Sequence, residues 1–422
     1  MARTRRRYVR PDPYATLVRR RPSLDFSITG LIYCTLMMFM GLAAINSQAN
    51  LLFGVFGLMI GILLVSGIVS RSVLRRLMLH RGLPESAIVG APAIVTYELR
   101  NEKRFWPSLS VTVAELDGVE AFTKQPQAYM LHAAPRMTAI VPAQLIPKRR
   151  GLHQLDRYQI STSFPFGFIK RATERRQPES ILIYPALAEV DPKLLQLMRS
   201  AESTGTTMRP RRGGMDEFYG LKEHRDGESP RFIYWRRSAR TGTLVAKEMT
   251  HVSPPRIIVL VDTHIAADRR TSELHGRVER AIAMATSLTS HALEAGLSVG
   301  LVVWSEGWQK VPPNRGKRHR RELLGVLARL PYNSEHDAQE LVAQAMELQE
   351  SSTTTVLFAP GGAEMTSSRN QSGLMVITAT SDQSRRWFRF HPQIDFEHAM
   401  PEEQEPGASS QEPEEKPVHS GS

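Results

Sequence analysis

The chain has 422 residues, 41% of them hydrophobic, and a formal net charge of +12 at pH 7. That length accommodates roughly two or three domains with real cores, and the positive balance asks for an acidic partner: nucleic acid, an anionic membrane surface or an acidic protein. The single cysteine, Cys34, sits inside an apolar run, which excludes an internal disulfide and a cysteine-cluster zinc site.

Residues 1–25 form a basic tail with eight arginines, from Arg3 to Arg21, against Asp12 and Asp25. They stand next to two apolar runs, Phe26 to Ile45 and Leu51 to Ser70, each 20 residues without a charge. Each run matches the length that crosses a bilayer core of roughly 30 Å. Much of the positive excess therefore lies beside apolar segments, which favours a membrane over nucleic acid, and no nucleic-acid partner is expected. A cleaved signal peptide would be one shorter apolar region, so residues 26–81 are predicted as a membrane hairpin with spans at about 26–45 and 51–70. The five residues Asn46 to Asn50, all polar but Ala49, read as its turn. Arg71, Arg75, Arg76 and Arg81 follow the second span, so the positive-inside rule puts both ends of the hairpin, and with them both termini, in the cytoplasm. Gly54, Gly57 and Gly61 share nearly one helix face, expected to pack against the first span, with homo-oligomerisation through that face as the second reading.

From 82 to 190 the period switches to two. Val95, Tyr97 and Leu99 alternate with Thr96, Glu98 and Arg100, and several short runs of this kind predict an antiparallel β-sandwich-like domain. The RRG at 149–151 and the SFPFGF at 163–168 read as turn and strand-edge chemistry, with Phe164, Phe166 and Phe168 assigned to core packing. Residues 191–250 connect this domain to the next. Residues 251–395 alternate strands such as Arg256 to Asp262 with helices such as Arg318 to Leu330, which predicts a doubly wound, mostly parallel α/β domain. The Glu-, Pro-, Gly- and Ser-rich tail at 396–422 is expected to be disordered.

The chain lacks a phosphate-binding Gly-x-x-x-x-Gly-Lys loop, a nucleophile elbow, a His-Glu-x-x-His pair and a dinucleotide fingerprint, and no cofactor is expected. Asp262 ends the first strand of the α/β domain, where open sheets bind ligands. A metal-dependent adhesion site would continue Asp-x-Ser-x-Ser. Here the run is Asp262-Thr263-His264-Ile265-Ala266, a degenerate site in which Ala266 cannot ligate a metal. The chemically densest stretch is 216–248, which interleaves acids, basic residues and aromatics without a clean period. Arg231, Arg236, Arg237 and Arg240 would either pair with Glu217, Glu223, Asp226 and Glu228 as a clamp between domains, or form a surface that binds a partner or an anion.

Glu217-Phe218, Gly220-Leu221, Gly227, Arg231, Ile233, Trp235, Ser238-Ala239-Arg240 and Leu244 resemble the signature of the bacterial domain-of-unknown-function family fifty-eight (DUF58). The sequence departs from that pattern at Lys222, His224 and Glu228. The resemblance implies two N-terminal membrane helices, a β-rich region, this motif and a domain similar to von Willebrand factor type A. It also implies a role beside MoxR-type AAA+ ATPases in assembling or activating other complexes. Together these readings predict a multidomain α+β protein acting as a non-enzymatic, inner-membrane-anchored scaffold or adaptor. Glu217, Gly220, Arg231, Trp235, Ser238 and Arg240 are its candidate partner-binding or interdomain residues. The competing expectation is a metal-dependent hydrolase or nuclease using His224, Asp226, Glu228 and Asp262.

Overall fold

The computed structural model describes residues 18–19, 23–204, 212–225, 229–250, 255–265, 271–333, 335–349, 353–361 and 374–396. It has a mixed α+β architecture whose first two helices are long and apolar enough to cross a membrane. Helix α1 (Ile28–Ser47) starts at Ser27, whose hydroxyl accepts a hydrogen bond from the Gly30 N–H at 3.0 Å. It stops at Gln48, which adopts a left-handed conformation, and α2 (Asn50–Leu74) begins two residues later. The expected five-residue turn therefore shortens to Gln48 and Ala49, because Asn46, Ser47 and Asn50 are absorbed into the helix ends.

The helices meet where Gly41 admits the Phe56 ring: a Cβ at Gly41 would lie 2.9 Å from it. The Tyr33 hydroxyl donates to the Met59 carbonyl across the same pair at 3.0 Å. Gly54, Gly57 and Gly61 do not take part, since nothing lies within 4 Å of a Cβ built on any of them. The expectation that this glycine face packs on the first span is corrected. Phe56 fills a notch on α1 and turns the glycine face of α2 away.

Two sheets share the next apolar core. One orders Val18–Arg19, Ile169–Tyr184, Gly151–Thr162, Ser108–Glu115 and Gln127–Ala133, with Ser23–Phe26 and Ser86–Ile88 added on Ile169–Tyr184. The other orders Leu77–Gly82, Ala93–Asn101, Thr138–Pro147 and Phe122–Lys124. Alternate side chains point inward, so Val95, Tyr97, Leu99, Val111 and Val113 are fully buried while their neighbours face out. Arg81 belongs to this core rather than to the basic flank of α2. Its guanidinium bonds Glu115 at 2.6 Å, Glu179 at 3.2 Å and the carbonyls of Gln177 and Leu155, while the Tyr97 hydroxyl donates to Glu115 at 2.6 Å. With every strong donor answered, the charge is tolerated in the interior.

Helix α3 (Pro192–Thr204) leads to an antiparallel hairpin of Arg212–Glu223 and Val245–Thr250, and α4 (Trp235–Thr241) lies in its connection. A five-stranded sheet follows in the order Trp308–Asn314, Ser298–Trp304, Arg256–Val261, Thr353–Ala359 and Leu374–Thr378, parallel except at its first strand. Ile257 to Val261 are all buried, as a run of Ile, Val and Leu covered on both faces requires. Helices α5 (Ser272–Glu294) and α6 (Lys317–Arg329) join one face through Val278, Ile282, Leu323 and Leu327, and α7 (Ala338–Met346) covers the other through Val342 and Ala345. Helix α8 (Asp382–Trp387) then brings Phe388–Arg389 back to pair with Glu189–Val190.

Candidate functional site

The motif hairpin separates an interior from an exterior. Ile233 is buried and bridges Ala246, and the Tyr234 N–H donates to the Val245 carbonyl at 2.7 Å. Ser238 is buried as well. Its hydroxyl donates to the Tyr234 carbonyl at 3.1 Å and accepts from the Val245 N–H at 2.9 Å, which staples α4 to the second strand. Gly242 ends the helix at φ 72°, a left-handed conformation that a side chain would strain. The Lys247 ammonium lies 5.2 Å from the centre of the Tyr234 ring. These contacts account for Ile233, Ser238, Ala246 and Gly242 in so charged a segment.

The exterior holds Arg231, Arg236, Arg237 and Arg240, all exposed, and Trp235, which is 64% exposed. Among the described residues none of these four arginines pairs with an acid. Gly220 lies in the first strand beside a register shift between Phe218 and Gly220, and Glu217 pairs with Thr250 through the backbone. Asp226 and Glu228 fall outside the described residues. His224 stands at the foot of the hairpin, its N–H donating to the Leu244 carbonyl at 2.8 Å.

A buried clamp between the sandwich and the α/β domain is built elsewhere, in the RRG turn that the sequence suggested was only turn chemistry. Arg150 is buried and forms an ion pair with Glu279 on α5, and it donates to the Leu330 carbonyl at 2.5 Å. The Tyr332 hydroxyl donates to Glu279 at 2.7 Å. Burial pulls the Arg150 guanidinium down to about 10. The one sequence signal for this lock was Glu279, a charged residue between Val278 and Ile282 on the buried side of α5.

At the carboxyl end of Arg256–Val261, Asp262 is buried and accepts the His264 N–H at 2.9 Å. Burial, with a smaller push from the Asp337 charge, raises its carboxyl to about 6. Next to it the Asn333 side-chain amide donates to the Thr263 hydroxyl at 2.9 Å, and the Ile265 N–H donates to the Asn333 carbonyl at 2.7 Å. Ala266 lies outside the described residues. At the end of the neighbouring strand the His336 ring fills the space against Trp304 and Trp308, with centroids 4.0 and 5.0 Å away. Among the described residues, no three His, Cys, Asp or Glu side chains gather to hold a metal ion.

Residues 221–358, about a third of the chain, match the model of a family described as a protein of unknown function, DUF58. The match begins in the motif hairpin, includes α4, and runs to Phe358 in the fourth strand of the mixed sheet. No curated protein matches the chain.

Proposed function

We propose that this protein is a membrane-anchored, non-enzymatic scaffold or adaptor that binds its partner through the exterior of the motif hairpin. The observation that carries the reading is the division of that hairpin. Ile233, Ser238 and Ala246 hold it together from inside, while Trp235 and the arginines stand outside without being needed for its packing. Arginine and tryptophan are the residues that most often dominate a binding surface, because each offers a wide contact area together with directed donors. The two apolar helices serve as the anchor, with both ends on the cytoplasmic side, and the mixed sheet with helices on both faces is read as von Willebrand factor A-like.

The partner is proposed to be a MoxR-type AAA+ ATPase, on the strength of the motif resemblance. Such a partner supplies the nucleotide chemistry for which this chain shows no motif. The full-length protein in detergent or nanodiscs, titrated with the ATPase, gives the test. Trp235→Ala and Arg231→Ala are each expected to weaken binding by about 2 kcal/mol, roughly thirty-fold in Kd. Unchanged affinity in the double variant, or no binding by the unaltered protein, would sink the proposal.

A further inference from the structure

One end of the sandwich carries three neighbouring turns, two of which are bonded to the apolar hairpin. Residues 102–107 join Ala93–Asn101 to Ser108–Glu115, residues 134–137 join Gln127–Ala133 to Thr138–Pro147, and residues 163–168 join Gly151–Thr162 to Ile169–Tyr184. The first turn is fastened to the last turn of α2. The Lys103 ammonium donates to the carbonyls of Ser72 at 3.0 Å and Val73 at 2.8 Å, and the Ser108 hydroxyl donates to the Val73 carbonyl at 2.9 Å. Asn101 ties the first turn to the second, its N–H donating to the Met137 carbonyl at 3.0 Å and its side chain to the Trp106 carbonyl at 3.1 Å. The third turn lies against the start of α1. The Ser27 N–H donates to the Phe168 carbonyl at 3.0 Å, and the Phe168 ring stacks on Tyr33 with centroids 4.2 Å apart.

These turns turn large apolar side chains outward: Phe105 is 74% exposed, Trp106 70%, Met137 62% and Phe166 50%. Arg71, Arg75, Arg76 and Arg104 are exposed around them, and the Arg104 guanidinium lies 5.0 Å from the centre of the Phe105 ring. Two exposed acids, Asp25 and Glu102, share this end. Their depth follows from α2. The uncharged run ends at Ser70, and at about 1.5 Å per residue Ser72 and Val73 lie only some 3–5 Å further along the axis. That is the headgroup layer of a bilayer spanned by the hairpin, where amphipathic rings settle and where basic side chains meet anionic phosphates.

We propose that this end of the sandwich is a second membrane contact: the three turns seat in the headgroup layer of an anionic bilayer, with the exposed rings and Met137 in the interface and the four arginines on lipid phosphates. The proposal rests on the anchored reading above and adds that the sandwich itself, not only the hairpin, is fixed against the bilayer. Full-length protein reconstituted in vesicles whose lipids carry bromine near the headgroup tests it by tryptophan quenching. Trp106→Phe is expected to remove most of the bromine-sensitive emission, and Trp235→Phe to leave it. Brominated phosphatidylglycerol is expected to quench more than brominated phosphatidylcholine at equal bromine content, and equal quenching would overturn the anionic assignment. If a carbonate wash releases the protein, anchor and second contact fall together. If washed membranes keep the protein and Trp106→Phe leaves the quenching unchanged, the second contact alone falls, and this end of the sandwich is covered by protein instead.

Discussion

Lys103 and Asp262 show how single charges are held at opposite ends of the molecule. Lys103 donates to two carbonyls at the C-terminus of α2 and to the Ser108 hydroxyl at 2.6 Å, satisfying groups that a helix end leaves open. Burial lowers its ammonium to about 8. Lys103→Met keeps most of the stem but leaves those carbonyls unanswered, and it is expected to cost about 1.5–3 kcal/mol in thermal unfolding. A loss indistinguishable from zero would show that the hairpin docks without this bond. Asp262 has the opposite sign. Its folded carboxyl sits at about 6, above the ordinary aspartate value, so its stabilising contribution is complete below about pH 4 and is lost as pH rises through 6. Ionised Asp262 is therefore a cost at neutral pH. Asp262→Asn keeps an acceptor for the His264 N–H and is expected to raise stability at pH 7.5 by an amount on the order of 2–3 kcal/mol, with little difference at pH 4. A variant less stable than the parent at pH 7.5 would contradict this.

At the scale of elements, the apolar runs, the period-two strands and the buried Ile257 to Val261 strand were legible because each is a repeated local pattern. The partners of those elements were not. The glycine spacing in α2 pointed to Gly57, yet the helix pair closes on Gly41, because the fit depends on where one Phe56 ring lands across the hairpin. Gly41→Leu is accordingly expected to separate α1 from α2, seen as lost protease resistance of the hairpin, whereas Gly57→Leu leaves it intact. The reverse outcome would restore the expectation drawn from spacing. SFPFGF was legible as a turn, but the core packing expected of its phenylalanines holds only for Phe164: Phe166 is exposed and Phe168 docks on Tyr33 of α1, a partner more than a hundred residues away in sequence. In the motif hairpin, the residue types told of a special segment without telling inside from outside. Ser238 and Arg240 stand two residues apart, one buried as a staple and the other exposed.

The whole molecule is a stack, and the sandwich is its spacer. Its strands run from the turns at the hairpin to an opposite end where Arg150 enters the α/β domain. The lock there reaches further than the domain boundary. Arg150 holds the Leu330 carbonyl and Glu279, Glu279 holds Tyr332, and the next residue, Asn333, holds Thr263 beside Asp262. Docking of the sandwich and the order of the sheet's carboxyl end thus share one short loop, Leu330 to Asn333. Removing Arg150 leaves Glu279 buried without its cation, a loss of about 3–5 kcal/mol, whereas replacing both by apolar residues of similar volume removes the uncompensated charge. Arg150→Met is therefore expected to speed amide exchange at 330–333 and to open the junction to protease. Adding Glu279→Leu is expected to recover most of the protection. If the single variant exchanges as slowly as the parent, the lock does not order this loop. If the double variant is no better than the single one, what holds the domains together is the specific geometry of the ion pair rather than relief of a buried charge.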